Sequence, residues 1–160
     1  MRWIWIDKFT EFTSGQSATA IKNVTLAEEH LHDLYPAFPI VPHSLIVEGM
    51  AQTAGILVGE ARNFSEKVIL AKIGRATFYR LVRPGDTITY SAQIDQLSDQ
   101  GASITGTVSV GADAVADIDL MFSHIDQNLA GLDFPEHNFV FTEQFTELLK
   151  TYRVKATVKL

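Results

Sequence analysis

The sequence predicts an α+β fold, a curved antiparallel sheet wrapped around one long buried helix, and three observations carry that expectation. The first is the stretch from Leu45 to Val58, where apolar residues fall on every face of a helix; a helix that is hydrophobic all round is a buried one. The second is the punctuation before it. Pro36, Pro39 and Pro42 fix successive φ angles and push the preceding residues out of the α region, so a stiff, extended loop leads to a helix that begins only after Pro42. The third lies in the C-terminal half: Thr87–Leu97, Ala102–Val110 and Ala114–Ile125 are extended runs with alternating apolar positions, joined by Ser98–Gly101 and Gly111–Asp113, the pattern of long hairpin strands. A lone apolar helix has to be covered, and a strongly curved antiparallel sheet covers it with the fewest elements.

Taken in order, Arg2 to Asp7 alternates around Trp3, Ile4, Trp5 and Ile6 and predicts a short first strand, followed by a polar turn at Ser14-Gly-Gln16. Ser17 to Val24 predicts a second strand. Thr25 ahead of Leu26-Ala-Glu-Glu29 is a capping-box pattern that should start a short helix ending near Pro36. After the central helix, Glu60 to Lys67 reads as a polar connection, and Val68 to Leu81 as a strand in which Gly74 marks a bulge or a close backbone approach. Pro84-Gly-Asp86 is a turn. Residues 1–125 thus read as one domain. Residues 126–160 read as an extension of the same unit, with a short amphipathic helix, Thr142–Lys150, packed on the outside or on a partner subunit.

Composition narrows the function. A chain of 160 residues with 46% hydrophobic content builds one core, and the absence of cysteine excludes disulfides, thiolate catalysis and cysteine-held metal centres. Asp7 interrupts the N-terminus before a signal-peptide core forms and no apolar run is long enough to cross a bilayer, so a cytoplasmic location and no membrane association are expected. The glycosylation triplets at Asn23 and Asn63 are then accidental. A net charge of −6 argues against nucleic acid as a partner. Between Glu66 and Asp86, however, no acid occurs while Lys67, Lys72, Arg75, Arg80 and Arg83 do, five of the chain's thirteen Lys and Arg. That run is either a solvated strand face or a docking patch for an acidic partner. His30, His32 and His43 match no metal-ligand spacing, and no metal is expected.

Chemistry points to the central helix. Ser44, Glu48 and Gln52 recur every four residues and stack in one polar stripe on an otherwise apolar surface. A carboxyl group among Val47, Met50 and Ala51 is expected to be buried, which raises its pKa and lets it keep a proton to donate. The helix start adds backbone N–H groups at His43 to Leu45 that could polarise a carbonyl. Two readings stand at this point: Glu48 as a brace for a neighbouring loop, and Glu48 as an acid one turn from an oxyanion site.

Three segments then carry a family resemblance over roughly residues 3 to 125: Ile21-Lys-Asn-Val-Thr25; Pro39-Ile-Val-Pro-His-Ser-Leu-Ile-Val-Glu-Gly-Met-Ala-Gln52 with Ala54-Gly55; and Leu70-Ala-Lys-Ile-Gly-Arg-Ala-Thr-Phe-Tyr-Arg-Leu-Val-Arg-Pro-Gly-Asp86. The chain resembles the hot-dog-fold 3-hydroxyacyl-carrier-protein dehydratases of bacterial fatty-acid synthesis, the FabA/FabZ-like group. The resemblance implies a homodimer or larger assembly with tunnel-shaped sites at the subunit interface. It implies acyl thioesters on phosphopantetheine, presented by an acidic acyl carrier protein or as coenzyme A thioesters, with no separate cofactor. Lys72, Arg75, Arg80 and Arg83 become its candidate docking residues. In the family a loop histidine removes the α-proton and an acid on the neighbouring subunit's helix protonates the departing hydroxyl. Glu48 matches the acid; Leu34 stands where the histidine is expected, and Pro42-His43 replaces the usual Pro-Gly.

Three functions are compatible with that departure. The chain is a dehydratase in which His43 has taken over as base, with Ser44, Leu34, Gln52 and Pro42 lining the substrate. Alternatively it is a non-catalytic acyl-binding or partner subunit, or a thioesterase in which the carboxylate activates water.

Overall fold

The computed structural model describes residues 4–125 together with Glu147 and Lys150. In chain order the elements are β1 (Lys8–Thr13), β2 (Ser17–Asn23), α1 (Glu29–Asp33), α2 (His43–Ala61), β3 (Lys67–Phe78), β4 (Thr87–Leu97), β5 (Gly101–Val110) and β6 (Asp113–Ile125). The strands form one antiparallel sheet in the order β1-β2-β4-β5-β6-β3, folded around α2. The α+β architecture with a curved sheet around a buried helix is the one expected. Leu45, Val47 and Ala51 are half-buried, whereas Ile46, Met50, Ala54, Leu57 and Val58 are fully enclosed and form the core with Ile88, Tyr90, Ile104, Ile118 and Leu120 from the sheet. Burying an aliphatic side chain of this kind contributes about 1.5–3 kcal/mol, so this cluster is what closes the sheet over the helix.

The chain reverses where turn residues allow, in the β5–β6 hairpin and in the turn that leads from β3 to β4. Gly111 has φ +58° between β5 and β6, and Gly85 has φ +96° in the turn that the Asp86 N–H closes on the Arg83 carbonyl at 3.1 Å. In β3 the register shifts between Leu70 and Lys72 and again between Ile73 and Arg75, the second shift being the irregularity expected at Gly74. The first strand differs from expectation: it runs from Lys8 to Thr13, not from Arg2 to Asp7. Trp5 and Ile6, adjacent in sequence, are both 2% exposed, so this stretch is enclosed on both sides ahead of β1 and lacks the half-buried alternation that the sequence predicts. The capping box is not realised either. Thr25 Oγ1 accepts from the Ala27 N–H at 3.3 Å, and α1 starts three residues past Leu26, with Glu28 as an N-cap whose side chain makes no capping hydrogen bond.

At the sheet's two edges lie β1 and β3. Apart from Glu147 and Lys150, helical and ion-paired at 2.6 Å, the expected C-terminal helix lies outside the described residues. Among the described residues no helix is long and apolar enough to cross a membrane.

Candidate active site

The loop before α2 is fixed at both ends. Leu34 caps α1 with its N–H on the His30 carbonyl at 3.3 Å, and the Val41 N–H bonds the Val82 carbonyl at 2.9 Å with Val41 fully buried. Between them the loop is exposed, Leu34 at 55% and Phe38 at 47%. Pro42, extended at ψ 141°, is the N-cap of α2, and no side chain caps the helix. Its carbonyl accepts the Leu45 N–H at 2.9 Å. Of the three amides expected to face a carbonyl, Leu45's is therefore taken by the helix itself. His43 and Ser44 contribute the first two N–H groups, which have no partner within an α-helix by its geometry.

The polar stripe holds together as the four-residue spacing implies. Gln52 Nε2 donates to Glu48 Oε1 at 2.7 Å, and the Trp5 backbone N–H donates to Gln52 Oε1 at 2.7 Å. Both ends of the amide are engaged, so its orientation is set and Glu48 Oε1 is fixed as an acceptor. Below this pair, Trp5 Nε1 donates to the Tyr90 hydroxyl at 3.0 Å, and burial pushes the Tyr90 pKa well above its usual value, keeping the phenol neutral. Glu48 itself is half-buried, which corrects the expectation of an enclosed carboxyl: one protomer leaves this face of α2 partly open.

His43 does not join the stripe. Five residues from Glu48 on a helix of about 100° per residue, it points roughly 140° away, and its exposed ring stacks on Phe78 of β3 at 4.0 Å and 2°. None of the described histidines forms a hydrogen bond or ion pair with Glu48. His30 packs edge-on to Trp5 at 5.2 Å beside Glu28, His32 is exposed, and buried His124 lies 2.8 Å from Glu66. Burial lowers the His30 pKa, outweighing the neighbouring Glu28 carboxylate. Among the described residues no group of three His, Cys, Asp or Glu side chains could hold a metal ion.

The basic run separates into individual environments. Arg75 is held by Asp119 through two hydrogen bonds of 2.9 and 3.3 Å, Arg80 pairs with Asp86 at 3.3 Å, and Lys67 is buried. Lys72 is exposed on the edge strand, and the Arg83 guanidinium lies over the Phe38 ring at 4.6 Å, beside a cleft of about 260 Å³ lined also by Leu26, Pro39 and Pro84. Sequence reasoning missed Trp5 and Tyr90 as supports of the stripe. The available signal was Gly49, directly after the acid: a Cβ there would run into the Tyr90 ring and reach Trp5 Cδ1 at 2.7 Å.

The chain is 36% identical over 121 residues to the 3-hydroxyacyl-acyl-carrier-protein dehydratase FabZ of Levilactobacillus brevis, covering 74% of this chain and 81% of that one. In fold it is similar to the dehydratase heterocomplex ApeI:P from Xenorhabdus doucetiae (TM-score 0.63, 13% identity, 76% and 83% of the two chains). It is also similar to a mutant thioesterase from Pseudomonas aeruginosa (TM-score 0.61, 15% identity, 73% and 79%). These neighbours make the architecture a hot-dog fold. Residues 3–120 match the FabA-like domain, and the chain belongs to that dehydratase-like family.

Proposed function

We propose that this chain dehydrates 3-hydroxyacyl thioesters carried on phosphopantetheine, with Glu48 as the general acid. The observation that carries the reading is the oriented pair at the centre of a FabA-like domain: Gln52 donates to Glu48 Oε1 at 2.7 Å. When Glu48 is protonated, that bond keeps Oε1 as acceptor and leaves the proton on Oε2, from which it passes to the departing hydroxyl. The Cα–H bond breaks to a base, the Cα=Cβ bond forms, the Cβ–O bond breaks and water leaves. This step moves protons and one hydroxyl group and needs no redox or metal cofactor. The His43 and Ser44 amides hold the thioester carbonyl against the positive end of α2. Pro42, Leu34, Ser44 and Gln52 line the approach.

The acyl group arrives on an acidic carrier protein or as its coenzyme A thioester. Arg83 and Lys72 are the best placed of the docking candidates, since Arg75 and Arg80 are engaged by Asp119 and Asp86. The open edge of β3, with Leu70 and Ile73 39% and 47% exposed, supports a homodimer in which a second copy covers the Glu48 face.

A second reading, an acyl-binding partner subunit without turnover, is favoured by Leu34 in the loop and by the His43 ring lying on Phe78. The two readings separate in a mass-spectrometric time course of a 3-hydroxyacyl carrier protein with the wild type, Glu48→Gln and His43→Ala. Loss of one water, abolished by Glu48→Gln, establishes the acid, and its dependence on His43 decides the base. An intact acyl group on a carrier that still binds makes the chain a binding subunit, and release of free acid makes it a thioesterase.

A further inference from the structure

A buried main-chain N–H has to be bonded, and a strand places it in its ladder. Trp5, 2% exposed, lies ahead of β1 and outside that ladder, and its N–H goes to Gln52 Oε1 at 2.7 Å. The donor is held from several sides. The Asp7 N–H bonds the Ile21 carbonyl at 2.8 Å and the Asp7 carboxylate accepts from the Asn23 N–H at 2.7 Å, which ties the segment to β2. The indole donates to the Tyr90 hydroxyl of β4 at 3.0 Å, and on α2 Gly49 makes room for the ring where a Cβ would stand 2.7 Å from Cδ1. A main-chain N–H only donates, so the Gln52 atom that faces it is the oxygen, and the NH2 group is left to face Glu48. The sense of that amide matters to an acid. With the NH2 group towards it, Glu48 Oε1 accepts, the transferable proton sits on Oε2, and the carboxylate that remains after transfer keeps its donor. Turned over, the same amide would present its oxygen. Gln52 would then hold the proton on Oε1 away from the substrate, and after transfer two oxygens would face each other. Among the described residues no cation pairs with Glu48 to offset that loss.

We infer that Trp5 is a positioning residue for the acid: its backbone N–H fixes the sense of the Gln52 amide and so decides which oxygen of Glu48 carries the proton that leaves with the hydroxyl. This rests on the dehydratase reading of Glu48 and deepens it. If Gln52 served only to satisfy a buried N–H, breaking the Trp5 bond would lower stability and leave the proton transfer alone; the two roles therefore separate in the rate.

The test replaces the Trp5 amide by an ester, through incorporation of indole-3-lactic acid at position 5, which removes the N–H and keeps the indole. The kcat and KM for a 3-hydroxyacyl carrier protein are measured in the wild type, the ester, Gln52→Met and the two changes combined, with urea midpoints showing that each is folded. In the ester kcat should fall at least about tenfold, the worth of one hydrogen bond to a charged group, with KM within about twofold. In the Gln52→Met background the ester should change kcat by less than about twofold, because the amide it acts through is gone. A folded ester with the wild-type kcat, or two losses that multiply, overturns the inference. A second measurement needs no turnover and stands on the wild type even if the ester does not fold. The side-chain NH2 resonances of Gln52, assigned by their loss in Gln52→Met, are followed against pH; they should move with the ionisation of Glu48, cease to do so in Glu48→Gln, and respond more weakly in the ester. Resonances that ignore Glu48 in the wild type, or that respond equally in the ester, overturn the inference whatever the rates. If the amide responds as expected and nothing turns over, the dehydratase reading alone fails and the hold of Trp5 on Gln52 stands.

Discussion

Placing an imidazole at position 34 is the sharpest perturbation available. Leu34 is 55% exposed at the C-cap of α1 and contributes its backbone N–H, not its side chain, to the helix end. Leu34→His keeps that bond and gives up little burial, so its effect on stability should lie within about 0.5 kcal/mol. Its effect on rate is of another order. General-base catalysis is worth about 10²–10⁴, which is roughly 3–5 kcal/mol of barrier. If the Glu48–Gln52 pair is the intact acid half of the site, the variant should lose water from a 3-hydroxyacyl carrier protein at least a hundredfold faster than the wild type. The gain should vanish when Glu48→Gln is added. The assay is the initial rate of water loss by mass spectrometry, with urea midpoints confirming that both proteins are folded. A folded Leu34→His with a rate within threefold of the wild type would refute the reasoning: either the loop does not approach the acid, or a base already operates elsewhere.

Four further outcomes are expected from the packing and the buried charges. Gln52→Leu removes the acceptor of the buried Trp5 N–H and should destabilise by about 1–3 kcal/mol in urea unfolding at fixed protein concentration. Gln52→Glu keeps the acceptor but sets two carboxyl groups in contact, so its stability should match the wild type only at pH values where the pair retains one proton. Gly49→Ala gains up to about 1 kcal/mol of helix propensity but overpacks against Trp5 and Tyr90, and a net loss of about 1–3 kcal/mol is expected in the same unfolding measurement. The folded pKa of His30 lies below 6.5 because burial outweighs Glu28, with Lys22 also lowering it. The unfolded chain then takes up the proton first, so the His30 contribution to stability is complete above 6.5 and is lost as pH falls through the folded value. His30→Gln should reduce the fall in urea midpoint between neutral and mildly acidic buffer, and an unchanged fall would exclude His30 as its source.

The elements that were legible in the sequence are those whose signal is local. An apolar helix bounded by Pro42, a turn at Gly85, a hairpin turned at Gly111, and a stripe of period four each depend on a few neighbouring residues. The misplaced first strand shows where that reasoning stops. Trp5 and Ile6 look like alternation, but what places them is Gly49 and Tyr90, 44 and 85 residues from Trp5, and no window along the chain contains that fact. The basic run behaved similarly. Its apparent single charge patch dissolves because Asp119 crosses to Arg75 from β6 and Phe38 lies under Arg83 from the loop. The burial of Glu48 was misjudged for a different reason. Apolar neighbours along a helix show that something covers it, without showing whether the cover is this chain's sheet or another chain.

That last distinction bears on the chemistry. The core side of α2 is saturated by its own sheet, while the side carrying Ser44 and Glu48 is left open in the protomer and the β3 edge offers unpaired backbone and exposed Leu70 and Ile73. On the proposed reading, a second copy joined along that edge would cover Leu70 and Ile73, but it would not supply a base to Glu48. An identical chain brings another Glu48 and another Leu34. If His43 is the base, as proposed, it would have to leave its stack on Phe78 to serve. An assembly with a different hot-dog subunit would lift that restriction, because one loop imidazole from such a partner suffices for one site. The rate of the isolated chain, set against its Leu34→His variant, therefore reports on the composition of the working assembly as much as on the mechanism.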